Sequence, residues 1–196
     1  MTDQLPPIAC LTAILVRIMR SELLLIGGRS GVGKTAAAIA LHELLKDRSV
    51  EHAVIEGDFL DLAYPAPHVA HARANLAERN LAAMWANYRE LGYRRLILTN
   101  TVSVLFSSSL ASALGDDPAV TPVLLRATDD AVAQRLEHRS HGASFDAQLL
   151  HSSRTAVMLD EAVLKGTHLI DTDELTPSDV AVQIAHLAGW LERPAN

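Results

Sequence analysis

The chain has 196 residues, 49% of them hydrophobic and 20% charged, with 10 Gly, 8 Pro and one Cys. Collagen-like, disordered and disulfide-stapled classes are excluded by that composition, and the length fits one domain with a core large enough to stand on packing alone. A formal charge of −6 argues against a surface built to coat nucleic acid, and lone Cys10 suits a reducing, cytoplasmic setting.

Residues 8–16 form an apolar run that is too short to span a bilayer and that runs into Arg17 and Arg20, so no membrane partner is expected. Residues 21–26 already read as a complete strand. Met19 is therefore expected to be the native start and residues 1–20 an extension; an extra strand or helix packed on the core is the alternative. From there one domain, residues 21–196, alternates five β-rich runs with helical stretches. The runs lie at 23–26, 53–55, 96–98, 123–125 and 168–170, each continuously apolar, as strands covered on both faces are. Helices are expected at 34–47, 70–91, 105–114, 129–139, 146–164 and 177–191. Gly92 and Gly115 stand where C-caps belong, and Thr176-Pro177 opens the last helix as N-cap and first residue. Such alternation implies an α/β fold with a parallel sheet between two helical layers.

The strongest chemical signal follows the first strand. Gly28-Arg29-Ser30-Gly31-Val32-Gly33-Lys34-Thr35 matches G-x-x-x-x-G-K-[ST], the Walker A P-loop, between a strand and a helix as that motif requires. Its glycines let backbone N–H groups turn toward phosphate oxygens, and the next helix offers its positive N-terminal end to the same anion. Lys34 would reach the β- and γ-phosphates of ATP, and the Thr35 hydroxyl would ligate Mg²⁺.

No N-K-x-D guanine reader and no L-S-G-G-Q transporter signature occurs, and the chain is short for an oligomeric motor. The sequence resembles the P-loop kinases of the nucleoside-monophosphate and small-metabolite group, which includes shikimate, gluconate and adenylylsulfate kinases and chloramphenicol phosphotransferase. The resemblance runs over residues 22–190 as an order of elements, with the P-loop as its specific motif. It implies a five-stranded parallel sheet of order 2-3-1-4-5, a three-layer α/β/α fold and a small helical lid.

In kinases of this kind, acids at the end of the second strand support the metal through water, orient the acceptor hydroxyl or take its proton. Here that strand ends Ile55-Glu56-Gly57-Asp58. The resemblance thus assigns Asp58 to the acceptor, as its ligand or base, and Glu56 to the metal, with Glu56 also near the substrate; acids after a strand also cap turns. The third strand ends Leu98-Thr99-Asn100-Thr101, with no aspartate where many P-loop enzymes hold the metal's water shell. Thr99 and Asn100 are candidates for bonds to acceptor or phosphate.

The resemblance also implies an R-x-x-x-R element leading into a lid, here Arg135 and Arg139, with the lid over about 139–154 and Arg154 on its far side. One arginine would stack on adenine and others would clamp the transferring phosphate, tasks suited to a planar guanidinium. On the acceptor side, the helix at 70–91 shows an apolar stripe of Ala77, Leu81, Met84, Tyr88 and Leu91, with Asn80 and Asn87 at one margin and Trp85 on the opposite edge as a boundary residue. Asp171, Thr172 and Asp173 are weaker candidates for contacts to the base.

The expected activity is ATP:Mg²⁺-dependent phosphoryl transfer to a small molecule. A nucleotide acceptor would need further cations among residues 60–90, where only Arg73, Arg79 and Arg89 occur. The balance falls on an uncharged hydroxyl acceptor, a metabolite or an antibiotic-like compound. A nucleoside-monophosphate kinase and a non-catalytic ATP-binding module that gates a protein partner are the alternatives. Nothing in the sequence bears on the oligomeric state.

Overall fold

The computed structural model describes residues 20–71, 73–137 and 143–191. Residues 1–19, including Met19, and Arg139 lie outside the described residues. Five strands, β1 (Glu22–Gly27), β2 (Ala53–Glu56), β3 (Arg95–Thr99), β4 (Ala119–Arg126) and β5 (His168–Asp171), pair in parallel in the order β2-β3-β1-β4-β5. This is the expected order, and it brings the carboxyl ends of all five strands to one edge. Along the chain follow helices α1 (Lys34–Lys46), α2 (Pro67–Ala70), α3 (Leu76–Glu90), α4 (Ser107–Leu114), α5 (Asp129–Glu137), α6 (Ala143–Ala162) and α7 (Pro177–Leu187).

Side-chain alternation in the apolar strands sorts the core into two faces. Leu24, Ile26, Ile97 and Leu125 pack with Leu41 and Leu45 of α1 and Ile184 of α7. Leu23, Leu25, Leu96 and Leu98 pack with Leu81 and Trp85 of α3 and with Leu110 and Leu114 of α4. The result is the three-layer α/β/α arrangement. Its helix ends follow the local chemistry: Gly115 takes the left-handed conformation at the end of α4, and Thr176 and Asp179 form a reciprocal capping box at the start of α7.

Two expectations need correction. The acceptor-side helix does not begin near residue 70. Pro67 starts the short α2, His71 leaves helical geometry, and α3 begins at Leu76 after Asn75, whose φ is 44°. The apolar stripe of α3 also turns differently. Trp85 is 1% exposed, whereas Met84 and Leu91 are exposed. From Leu81, steps of three and four residues both stay on the buried side, and the larger ring takes the buried place.

A pair of histidines joins α1 to the start of β2. His52 Nδ1 lies 2.7 Å from the Val50 carbonyl, to which only an N–H can be donated, so His52 Nε2 accepts from His42 Nδ1 at 2.9 Å. Burial holds His52 below the ordinary histidine pKa, with His42 and Arg95 adding to the effect and the Val50 carbonyl opposing it. The folded protein therefore binds fewer protons at this site than the unfolded chain, and stability falls as pH drops through the unfolded value of about 6.5. The expected result is a loss of Tm between about pH 7.5 and about pH 5.5 that is smaller in His52→Gln; equal losses would contradict the pairing.

Candidate active site

The loop between β1 and α1 makes a cradle at the carboxyl edge of the sheet. Gly28 has φ +140°, and a Cβ there would lie 2.7 Å from the Leu125 carbonyl oxygen, so both its conformation and its close approach to β4 require glycine. Gly33 is the N-cap of α1 and no side chain caps that helix, which leaves the N–H groups of its first turn for an anion. Lys34 is buried, and its Nζ donates to the carbonyls of Gly28 at 2.9 Å and Arg29 at 3.4 Å and lies 3.4 Å from Thr101 Oγ1.

Across from the cradle, β2 and β3 deliver the acids. Parallel register sets Glu56 beside Thr99, and Thr99 beside Ile26 of β1. Glu56 accepts from Thr35 Oγ1 at 3.0 Å through Oε2 and from Thr99 Oγ1 through Oε1. One carboxylate thus spans the P-loop threonine and the end of the third strand. Thr99, 1% exposed, supports Glu56 instead of facing an acceptor. Gly57 allows this approach, since a Cβ there would fall 2.6 Å from the Thr99 carbonyl oxygen.

Asp58 follows in a 3-10 turn and is exposed. Its Oδ1 accepts from Asn100 Nδ2 at 2.8 Å and from the Thr101 N–H at 3.2 Å. Thr101 therefore touches both the P-loop lysine and the second-strand aspartate, a role that no local pattern advertised. Asn80 donates to the Leu60 carbonyl, so its amide holds the segment after Asp58, while Asn87 is exposed on α3.

The remaining P-loop side chains bind the protein itself. Arg29 is 4% exposed, and its Nη1 pairs with Asp129 at the start of α5. Asp129 also accepts from Ser153 at 3.0 Å, and the Arg29 and Ser153 bonds hold its carboxyl below the usual carboxylate range. The Ser30 carbonyl accepts from Ser152 Oγ at 2.8 Å. Ser152 is thus the α6 residue that reaches the P-loop, whereas Arg154 is exposed and makes none of the contacts that build the cradle.

Arg135 of α5 donates to the Val32 carbonyl at 3.2 Å, to Thr172 Oγ1 at 3.0 Å and to the Thr172 carbonyl at 2.8 Å. It forms one wall of a cavity of about 230 Å³ that Gly33, Thr172, Leu175 and Pro177 also line. Of the other candidates near the base, Asp171 pairs with Arg126 and Asp173 accepts from the Thr128 N–H.

A hydroxyl and a carboxylate are hard oxygen donors, so Thr35 and Glu56 suit Mg²⁺. Among the described residues no group of three or more His, Cys, Asp or Glu stands ready to hold a metal. No described helix is long and apolar enough to cross a membrane.

No family model matches the chain, and no curated protein does. Solved structures do. A tunicamycin resistance protein from Deinococcus radiodurans is 26% identical, with a TM-score of 0.60 over 87% of this chain and 96% of that one. A gluconokinase from Sinorhizobium meliloti is 17% identical, with a TM-score of 0.54 over 86% and 92%. The APS kinase of Mycobacterium tuberculosis, solved with AMPPNP and APS, is 15% identical, with a TM-score of 0.52 over 87% and 98%. The chain has the fold of the P-loop kinases of the small-metabolite group.

Proposed function

We propose that this protein is an ATP:Mg²⁺-dependent phosphotransferase whose acceptor is an uncharged hydroxyl compound, a metabolite or an antibiotic-like molecule. The observation that carries the reading is the joint at Thr101, which puts the Asp58 carboxylate next to the residue that meets Lys34. A phosphoryl donor in the cradle and a hydroxyl at Asp58 are thereby held side by side, and such positioning is the larger part of catalysis in phosphoryl transfer.

Thr35 and Glu56 would hold Mg²⁺, which neutralises charge on the β- and γ-phosphates when bound. Lys34 and the loop N–H groups stabilise the transferring phosphoryl group. Asp58, with Oδ1 engaged by Asn100 and Thr101, orients the acceptor hydroxyl through Oδ2 and takes its proton as the acceptor oxygen bonds to the γ-phosphorus and the bond to ADP breaks. The cavity beside Arg135 and Thr172 would take the base. In that arrangement Arg135 fixes the cavity wall, and Arg139 and Arg154 remain proposals for a lid that clamps phosphate and excludes water.

An uncharged acceptor is favoured over a nucleoside monophosphate because the cations available for a second phosphate are placed poorly. Arg89 pairs with Asp116 at 3.5 Å, and Asp116 in turn accepts from Ser21, at the edge of the sheet opposite the P-loop. Arg73 and Arg79 are exposed. The tunicamycin resistance protein among the structural neighbours lends support to an antibiotic-like acceptor.

ADP release from ATP:Mg²⁺, measured against a panel of nucleoside monophosphates, hydroxylated metabolites and antibiotics, tests this. Saturable acceleration by a hydroxylated compound is expected, and Asp58→Asn should lower that rate by about 10²–10⁴-fold while ATP still binds. Tight ATP binding with no acceleration by any compound would favour the nucleotide-gated binding module instead.

A further inference from the structure

The segment that follows Asp58 exposes large apolar side chains in quick succession. Phe59 is 69% exposed, Leu62 71%, Tyr64 99% and Val69 75%. Single exposed apolar residues are ordinary, but four within eleven residues beside a reactive carboxylate are not. The segment is anchored where it matters. Leu60 is buried in the cluster that holds Leu81, its N–H donates to the Gly57 carbonyl at 3.1 Å, and its carbonyl accepts from Asn80. With Leu60 turned into the core, Phe59 and Leu62 on either side of it in the chain stand in solvent.

Charge narrows what covers them. Residues 57–71 contain Asp58 and Asp61 and no Lys or Arg, and the next cations along the chain are Arg73 and Arg79. The four apolar side chains thus lie in a stretch whose own charges are negative, which disfavours an anionic body against it. Phe59, 69% exposed, directly follows Asp58 in the chain, so the apolar body of a molecule whose hydroxyl reaches Asp58 has an apolar side chain close at hand. We infer that the acceptor is an uncharged amphiphile, with a hydroxyl at Asp58 and an apolar body lying over Phe59, Leu62, Tyr64 and Val69. The inference rests on the phosphotransferase reading for the role of Asp58, and it adds the chemical class of the acceptor.

The test uses methyl, butyl, hexyl and octyl β-glucosides, below the concentration at which each forms micelles, titrated calorimetrically into the full chain with AMPPNP and Mg²⁺. Affinity should rise by about twofold to fourfold per added methylene. Leu62→Ala and Tyr64→Ala should each weaken octyl glucoside binding by at least about fivefold. Both side chains are exposed, so their removal leaves the fold intact. Leu91→Ala, at the far end of α3 and equally exposed, should leave the octyl affinity unchanged. Equal affinities for methyl and octyl glucoside, or octyl binding indifferent to Leu62 and Tyr64, would overturn the inference. So would adsorption to phosphatidylcholine vesicles that the two variants abolish while dissolved octyl glucoside does not bind. Chain-length-dependent binding without phosphate transfer to any hydroxyl would leave the apolar subsite standing and remove the kinase reading, so the two failures are distinguishable.

Discussion

Lys34→Ala is expected to lower acceptor-dependent ADP release by at least about 10²–10³-fold, the range seen when a preorganised cation or donor is removed from a developing charge. Lys34 is the cation that the P-loop presents, and its Nζ sits against the Gly28 and Arg29 carbonyls within reach of Thr101. The charge-assisted bonds lost inside the loop are worth roughly 1.5–3 kcal/mol each, a local loss set against a sheet packed on both faces, so circular dichroism should show native structure. Transfer at the undiminished rate would mean that the phosphates bind elsewhere.

The second large effect is expected at Glu56. Thr35 and Thr99 both donate to its carboxylate, which makes it the acid nearest the P-loop threonine in a protein whose third strand ends without one. Glu56→Gln keeps the shape and removes the charge. It should raise the Mg²⁺ concentration for half-maximal rate by about 10–100-fold, the usual penalty for losing a group that orients or supports a metal ligand. Thr99→Val should move the same quantity in the same direction but less, because it leaves the charge in place and frees one oxygen. An unchanged Mg²⁺ dependence in Glu56→Gln would assign the metal to other groups.

Much of the fold was legible in the sequence because it is written in local terms. The five apolar runs, the glycine at the end of α4 and the Thr176-Pro177 start of α7 each follow from backbone chemistry at the site itself. The sheet order came with the resemblance carried by the P-loop. What local pattern could not decide was competition between neighbours. Met84 and Trp85 both lie within a helical turn of Leu81, and burial of the larger ring turned the α3 stripe. The break from His71 to Asn75 shortened a helix that hydrophobic periodicity alone would start near residue 70.

The site was legible to a different depth. The P-loop, Glu56, Asp58 and Asn100 stand together at the carboxyl edge of the sheet, because motif and strand ends mark that edge. Thr101, Asp129 and Ser152 carried no signal, since their roles arise from contacts across 67 residues to Lys34, 100 residues to Arg29 and 122 residues to Ser30. Arg29 sits in the motif yet spends its charge on Asp129 at the start of α5, a partner that only the folded chain supplies. Arg135 likewise bonds Val32 and Thr172 from within the cavity wall, which a reading of its helix face alone does not show.

The measurement that bears most directly on the central claim follows the γ-phosphate itself. Full-length protein, ATP labelled at the γ-position and Mg²⁺ are incubated with each hydroxylated compound that accelerates ADP release, and the labelled products are separated. The expected result is label on an organic hydroxyl, in amounts equal to the ADP formed and absent from Lys34→Ala. Label recovered only as inorganic phosphate, whatever compound is present, would contradict phosphoryl transfer to an acceptor.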